Sequence, residues 1–321
     1  MSYHIYIKNN QSISFKQLLE SKYLPKNTNI SFGVNPNELL KGYSKLYIPK
    51  LSSRGVAITT NPEEYDVEVN VGATKEDWRL AVKISLALGE INNSLINPEF
   101  DSEKSLQEFE RDYNEDWVES VKHLSMDSFI QMFKEGKTGG GAMTFIGCIR
   151  HYYVGNYIIN LLSKEDISEE MFYDRLIEEV RKIQFIEDYE EEIEFPTVRI
   201  MDFPEGEKKL TIFPANFKVL LPNADYVILN KIGEAIAKVP YNDFINYIST
   251  KAKRVDELQY IIYPIEESEH YKMLLHFKAL EEGQNTINKI DIKETKVESK
   301  TEIETDQIEK LESKKWWEFW K

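Results

Sequence analysis

Apolar and polar residues alternate in the first third of the chain, a pattern that predicts short strands followed by a long helix. The strictest alternation covers residues 65–71, where every second side chain is apolar, as in a strand with one face in solvent. Thr74 and Asp77 then form a capping box, which predicts a helix that reaches about Asn92. Apolar residues surround most of this helix, so we expect it at the centre of a unit. Further strand candidates are residues 3–8, 45–48 and 56–60.

Residues 93–120 are polar and rich in acidic side chains, so we expect a linker or a long surface loop there. Apolar spacing next predicts a helix over residues 126–134 and, after three glycines, a buried strand over residues 142–149. Ser168 starts a clearly amphipathic helix. The patterns that follow predict strands at 198–201, 210–213, 226–229, 235–239 and 260–263, and helices at 241–248 and 266–280.

Strands and helices mixed in this way predict an α+β protein with mostly antiparallel sheets and packed helices. We expect one or two closely associated units, followed by a disordered C-terminal tether. The predicted organisation is a small α+β unit at 1–100, a larger acidic α+β unit at 101–283, a flexible charged linker at 284–313 and an aromatic terminal peptide at 314–321.

The end of the sequence is unusually aromatic, because three of the five tryptophans lie among the last six residues. The preceding stretch mixes charges of both signs with isolated Ile and Val, and it buries too little apolar surface to offset its ordering entropy. Trp and Phe anchor interfaces with few torsions to freeze, so we predict that the peptide binds a protein partner. Docking on the chain's own body and peripheral membrane contact are the alternatives. The predicted partner-binding residues are Trp316, Trp317, Phe319 and Trp320.

The chain has a formal net charge of −15, and residues 101–200 carry 23 acidic against 11 basic side chains. Such a surface repels phosphate backbones, so we do not expect direct nucleic-acid binding. The acidic excess serves solubility, or it mimics nucleic acid and blocks a basic groove on another protein.

No residue pattern predicts a catalytic centre. Cys148 lies in an apolar run, so we expect a buried side chain and not a nucleophile. The histidines show no metal-binding spacing, so neither a metal nor a cofactor is predicted. The densest functional-looking cluster follows an apolar strand, and it makes an enzyme with a pocket near Arg150 and His151 an alternative function. The candidate ligand-binding residues of that cluster are Arg150, His151, Tyr152 and Tyr153.

Two blocks of the sequence resemble a known family. Residues 65–71 with 74–82 form a strand followed by a capped helix, and residues 221–227 with 239–244 form a later block. Together they are similar to the uncharacterised bacterial family called domain of unknown function 4299, over roughly residues 20–282. The resemblance implies a bacterial cytoplasmic protein, and it implies no functional residues because the family has no assigned activity.

The sequence shows no secretory signal and no stretch of about 18 apolar residues, so we expect a cytoplasmic protein without a transmembrane segment. Taken together, these observations favour a non-enzymatic interaction protein of adaptor, immunity or inhibitor type. In this hypothesis it docks a partner through its C-terminal Trp-rich peptide.

Overall fold

The computed structural model of the chain describes residues 2–31, 34–134, 141–163, 167–230 and 237–294. The described residues form an α+β fold with mostly antiparallel sheets, as the sequence predicts. The helices are α1 (Phe15–Leu19), α2 (Lys75–Asn92), α3 (Leu106–Asp112), α4 (Glu115–Lys134), α5 (Asn156–Leu162), α6 (Glu169–Gln184), α7 (Tyr241–Tyr247) and α8 (Glu267–Glu294). The strands are β1 (Ser2–Lys8), β2 (Asn29–Ile30), β3 (Gly42–Tyr47), β4 (Val56–Thr60), β5 (Glu64–Asn70), β6 (Ile96–Pro98), β7 (Met143–Ile146), β8 (His151–Val154), β9 (Ile193–Glu194), β10 (Val198–Phe203), β11 (Gly206–Ile212), β12 (Lys218–Leu221), β13 (Tyr226–Leu229), β14 (Ala237–Pro240), β15 (Ala252–Arg254) and β16 (Tyr260–Ile262).

The first six strands form one antiparallel sheet with the order β2-β3-β4-β5-β1-β6. Helix α2 packs across this sheet and is also in contact with α1, α3 and α4. The predicted capping box starts the helix, since the Thr74 hydroxyl accepts from the Asp77 N–H and the Asp77 carboxylate accepts from the Thr74 N–H. The sheet covers one side of α2 and the three neighbouring helices cover other sides, which explains why α2 is apolar around most of its circumference.

The expectation of a loop over residues 93–120 is wrong. Strand β6 joins the edge of the first sheet, and α3 and most of the first half of α4 lie in this stretch. Ser105 and Glu108 form a capping box at the start of α3. Acidic residues on the outer side of these helices give the segment its polar composition, while Phe109, Val118 and Val121 are buried in the first core.

The predicted strand over residues 142–149 ends early, because the chain turns after Ile146 and returns as β8 in a two-stranded hairpin. The turn between β7 and β8, residues 147–150, is hydrogen-bonded to several residues in the part of the chain that forms the six-stranded sheet. The Cys148 N–H donates to the Ser53 carbonyl over 3.0 Å, and the Cys148 carbonyl accepts from the Ser31 hydroxyl. The Lys45 ammonium donates to the Gly147 carbonyl over 3.3 Å. We call this set of contacts the inter-sheet seam.

Two four-stranded sheets make up the later part of the chain, with the orders β10-β11-β13-β14 and β15-β16-β12-β9. Two neighbouring pairs are parallel, β11 with β13 and β9 with β12, and the other pairs are antiparallel. Strands β13 and β14 pair antiparallel, and residues 235 and 236 of the predicted strand at 235–239 lie outside the described residues.

Buried apolar side chains fall into three clusters. The first joins the six-stranded sheet to α2, α3 and the start of α4, the second surrounds β12–β14, α7 and α8, and the third lies between the hairpin, α5 and α6. The division into units at residue 100 stays a prediction. Helix α8 extends to Glu294, so residues 284–294 of the predicted linker are helical. The remainder of that linker and the peptide 314–321 lie outside the described residues.

Candidate functional site

A groove of about 690 Å³ opens beside the first core, between β1, the start of α2 and the α3–α4 segment. We call it the aromatic groove. Its walls combine five aromatic rings, aliphatic side chains, serines and three carboxylates, and none of its lining residues is basic. The residues that define it here are Tyr3, Trp78, Phe100, Tyr113, Trp117, Val121, Leu124, Glu99, Asp101 and Asp112.

The aromatic rings of the groove pack against one another mostly edge to face. The ring centroid of Tyr3 lies 5.5 Å from that of Trp117 and 6.2 Å from that of Trp78, and the two tryptophans are 5.9 Å apart. Tyr113 lies 4.7 Å from Trp117. Offset and edge-to-face contacts of this kind are favourable, so the rings hold each other in place and form a stable wall.

At the mouth of the groove, two apolar side chains are directed toward solvent. Phe100 is 78% exposed and Leu124 is 64% exposed, although both line the cavity. Large exposed apolar side chains beside a concave apolar surface are typical of binding sites.

The two tyrosine hydroxyls of the groove are hydrogen-bonded to each other. The Tyr3 and Tyr113 oxygens are 3.1 Å apart. Burial raises the pKa of Tyr3, and burial together with the neighbouring Tyr3 raises the pKa of Tyr113 well above its ordinary value. Both phenols are therefore neutral at physiological pH, and they contribute aromatic surface and hydrogen-bonding oxygens without adding charge.

Carboxylates lie at one end of the groove. Asp101 and Asp112 share the ammonium of Lys104, each at 3.0 Å. Hydrogen bonds from Arg111 and Lys104 lower the pKa of Asp112 to about 2, and the bond from Lys104 lowers the pKa of Asp101. Both groups remain charged at any physiological pH, and with Glu99 the three lining carboxylates exceed their two cationic neighbours, Lys104 and Arg111, by one charge.

The indole N–H of Trp78 is buried, and it has no hydrogen-bond acceptor among the described residues. Trp78 follows the capping residue Asp77, so its position at the groove wall is set by the first turn of α2. A buried donor without an acceptor costs stability.

The sequence-predicted cluster at residues 150–153 is arranged differently. The Arg150 guanidinium donates to the carbonyl of Gln184 and pairs with Glu187 at 2.8 Å, and its carbon lies 3.9 Å from the ring centroid of Phe195. The Ile149 and Arg150 N–H groups both donate to the side-chain oxygen of Gln184. The charge and the donors of Arg150 are therefore used in contacts within the chain.

The other three members of the cluster alternate along β8. The His151 residue as a whole is exposed, but its ring is partly buried. This burial, together with the positive charges of Lys45 and Lys209, lowers the pKa of the ring. Tyr152 is buried in the third core, with no hydrogen-bond partner for its hydroxyl among the described residues. Tyr153 is half-buried beside His151, with 6.4 Å between ring centroids. The structure thus brings His151 and Tyr153 to one face, and their ligand-binding role stays a prediction.

The buried carboxylate of Asp256 accepts hydrogen bonds from three backbone N–H groups, one of them on β8. Asp256 accepts from the N–H of Tyr153 over 3.0 Å and from those of Leu258 and Gln259 over 2.8 Å. Burial raises the pKa of Asp256 to about 6 despite these donors, which favour the carboxylate. A raised pKa is common in active sites, but three backbone donors give this group a structural role.

Many carboxylates between residues 101 and 200 form ion pairs with Lys or Arg. Partners outside that stretch include Arg79 for Glu115, Lys75 for Glu119, Lys50 for Asp188, and Lys218 and Lys253 for Glu190. The acidic surface is therefore interleaved with basic side chains, and its role as a nucleic-acid mimic stays a prediction.

Within the described part of the chain, no group of three or more His, Cys, Asp or Glu side chains is arranged to hold a metal ion. No helix among the same residues has the length and apolar character needed to cross a bilayer.

A comparison with protein families gives a match that covers most of the chain. A sequence model of the family described as domain of unknown function (DUF4299) matches residues 2–273. The chain belongs to this family. The match confirms the resemblance that residues 65–82 and 221–244 carry, and it extends to the first strand. No curated protein and no solved structure matches the chain.

The groove-lining segment is the functional candidate that the sequence analysis missed. Two signals for it are present: the Ser105–Glu108 capping box, and the four-residue spacing of Phe109, Tyr113 and Trp117. That spacing is typical of one face of a helix. The remaining wall residues come from β1 and α2, and only the fold brings them to the same place.

Proposed function

We propose that the protein is a non-enzymatic interaction protein whose aromatic groove binds a segment of a protein partner. The segment carries large apolar side chains next to Lys or Arg. The observation that carries this proposal is a single groove in which five aromatic rings and three carboxylates line one cavity, with no basic lining residue.

Both halves of this recognition have a physical basis. Burial of two aromatic side chains of the partner contributes roughly 3 to 6 kcal/mol before the cost of association is subtracted. A Lys or Arg beside them meets Asp101 and Asp112, which stay charged because their pKa values are lowered. We expect weak affinity, on the order of 10–100 μM, with a preference for basic flanks.

We also propose that the peptide 314–321 is a second docking element, which presents Trp316, Trp317, Phe319 and Trp320 to a protein partner in an adaptor, immunity or inhibitor role. The support is the sequence alone, since the peptide lies outside the described residues. Replacing all four aromatic residues by Ala in the full chain, a change we call the tail variant, removes the anchors. The wild-type chain and the tail variant are each used to capture proteins from a cell extract. If both capture the same set of proteins, the result counts against this role.

The groove is tested with fluorescently labelled peptides of eight residues that share a Trp-x-x-Phe core and differ in flanks, either Lys or Glu. The tail variant is used, so that the chain's own aromatic residues cannot compete. We expect the Lys-flanked peptide to bind at least five times more tightly than the Glu-flanked one, and the difference to shrink in high salt.

Two further changes in the tail variant locate the binding site. Trp117→Ala removes the ring that contacts both Tyr3 and Trp78, so peptide affinity should fall at least tenfold. Tyr43→Ala removes an exposed aromatic side chain on β3, outside the groove, and should change nothing. Circular dichroism checks that both variants are folded. Equal affinity for the two flanks, or unchanged binding with Trp117→Ala, would refute the proposal.

A further inference from the structure

The aromatic groove and the peptide 314–321 have complementary chemistry. The peptide holds four aromatic residues within three lysines and one glutamate, and the groove holds five aromatic rings and three carboxylates. From this complementarity we infer that peptide 314–321 of a chain docks in the aromatic groove of the same chain and competes there with partner segments. This inference rests on the proposed function, because it names the resident occupant of the proposed site.

The charges match in sign at the end of the groove. Lys314, Lys315 and Lys321 flank the aromatic residues, and the groove offers Asp101 and Asp112. The Lys104 ammonium and the Arg111 guanidinium pair with Asp101 and Asp112, so the three lining carboxylates exceed these two cations by one charge. An aromatic segment with acidic flanks would be repelled by the same carboxylates, so the basic flanks are a specific feature of the match.

The apolar surfaces also match. Phe100 and Leu124 remain exposed at the groove mouth in the described structure. A Trp or Phe side chain of the peptide buries about 150–250 Å² when it is covered. An area of this size is sufficient to cover Phe100 and Leu124. Docking within the chain therefore covers Phe100 and Leu124 and buries the aromatic side chains of the peptide against them.

Nineteen residues, 295–313, separate the end of α8 from the peptide. Fully extended, they reach at most about 65 Å. A segment tethered in this way has an effective concentration in the millimolar range when the linker spans the distance. That exceeds the concentration of most free partners, so even a weak groove–peptide contact is substantially occupied.

The test measures this effective concentration by disulfide exchange. Leu124→Cys is paired with Glu318→Cys in the full chain, and the pair is equilibrated with oxidised and reduced glutathione. The native Cys148 is retained, since it is buried and burial raises the pKa of its thiol. The matched control pairs Glu318→Cys with Ile200→Cys, an exposed position on β10 of another sheet.

We expect the disulfide to Leu124→Cys to form within one chain, with an effective concentration at least ten times that of the control pair. Trp117→Ala should remove most of this excess, and so should 0.5 M salt. Equal values for the two cysteine pairs would overturn the inference. Disulfides that link only two different chains would overturn it as well, and would assign the peptide to the groove of a second copy.

A second measurement separates this inference from the proposed function. The Lys-flanked peptide should bind the wild-type chain at least five times more weakly than the tail variant, because the resident peptide competes. Equal binding to both, with measurable affinity, would refute intrachain docking and leave the groove function standing. Absence of binding to either chain would refute the proposed function itself.

Discussion

The aromatic groove and the cluster at residues 150–153 both combine aromatic and charged side chains, yet they differ in what is left unused. In the groove, rings pack on each other and still enclose about 690 Å³, with Phe100 and Leu124 facing solvent. In the cluster, Arg150 is occupied by Gln184, Glu187 and Phe195. The comparison teaches that free surface and enclosed space distinguish the groove from the cluster, although both regions are rich in aromatic and charged side chains.

The largest effect should come from breaking the contacts around the 147–150 turn. In Gln184→Ala, the N–H groups of Ile149 and Arg150 lose their shared acceptor in a buried setting. Each orphaned donor costs about 1–3 kcal/mol, so we expect the free energy of unfolding to fall by about 4 kcal/mol. Urea denaturation measures the change. The control Gln107→Ala, at an exposed position of α3, should stay within about 0.5 kcal/mol of wild type.

Next in size is a pH effect that tests whether Asp256 is structural. Its folded-state pKa of about 6 lies above the value near 3.9 in the unfolded chain, so the native state binds more protons between these values. The stability that this group contributes is therefore highest below about pH 4 and falls as the pH rises through 6. The predicted loss is about 3 kcal/mol by pH 7.

The measurement compares wild type with Asp256→Asn by urea denaturation at pH 4, 5, 6 and 7. Asn at this position does not titrate, but it places an amide beside one of the three backbone donors. We expect it to be less stable at pH 4, with a margin that narrows as the pH rises. A margin that does not change with pH would show that the carboxyl group is not perturbed in this way.

A smaller effect should come from the acidic end of the groove. Asp101→Asn combined with Asp112→Asn removes two charges and leaves the Lys104 ammonium without its partners. The affinity of the Lys-flanked peptide for the tail variant should fall about fivefold, close to 1 kcal/mol, and depend less on salt. As the matched control, Asp127→Asn with Glu110→Gln removes two exposed charges that do not line the groove. A fivefold loss in the control as well would indicate a general charge effect.

The smallest effect concerns the indole N–H of Trp78. Because this donor has no acceptor among the described residues, Trp78→Phe loses ring area but also removes a buried unsatisfied group. We expect it to cost about 1 kcal/mol or less in stability, whereas Trp78→Ala should cost about 3–5 kcal/mol. Thermal or urea unfolding would measure both costs, and a cost of Trp78→Phe well above about 1 kcal/mol would mean that the N–H does make a hydrogen bond.

Local signals predicted the local features of the fold. The alternation over residues 65–71 and the capping box of Thr74 and Asp77 correctly gave β5 and the start of α2. The acidic composition of residues 93–120 concealed β6, α3 and the start of α4, because only one side of those helices is buried. A search for every capping box would have found Ser105 and Glu108.

The groove itself is a product of long-range packing. Tyr3, Trp78 and Trp117 are far apart in sequence, and they meet only because β1 and α2 are neighbours and α4 packs on α2. A single sequence contains no pattern that relates these positions. The four residues Arg150–Tyr153 are adjacent in sequence, but His151 and Tyr153 share one face of β8 while Tyr152 is buried, and the ligand-binding role of the cluster stays a prediction.

The inter-sheet seam determines how the chain can be divided. A fragment that stops at residue 100 loses Phe109, Val118 and Val121 from its core, and also the backbone groups of the 147–150 turn that bond to its edge. The complementary fragment leaves the Gly147 and Cys148 carbonyls without the donors that now satisfy them. The two pieces, expressed together, should therefore associate, because each alone leaves apolar side chains and backbone groups without their partners.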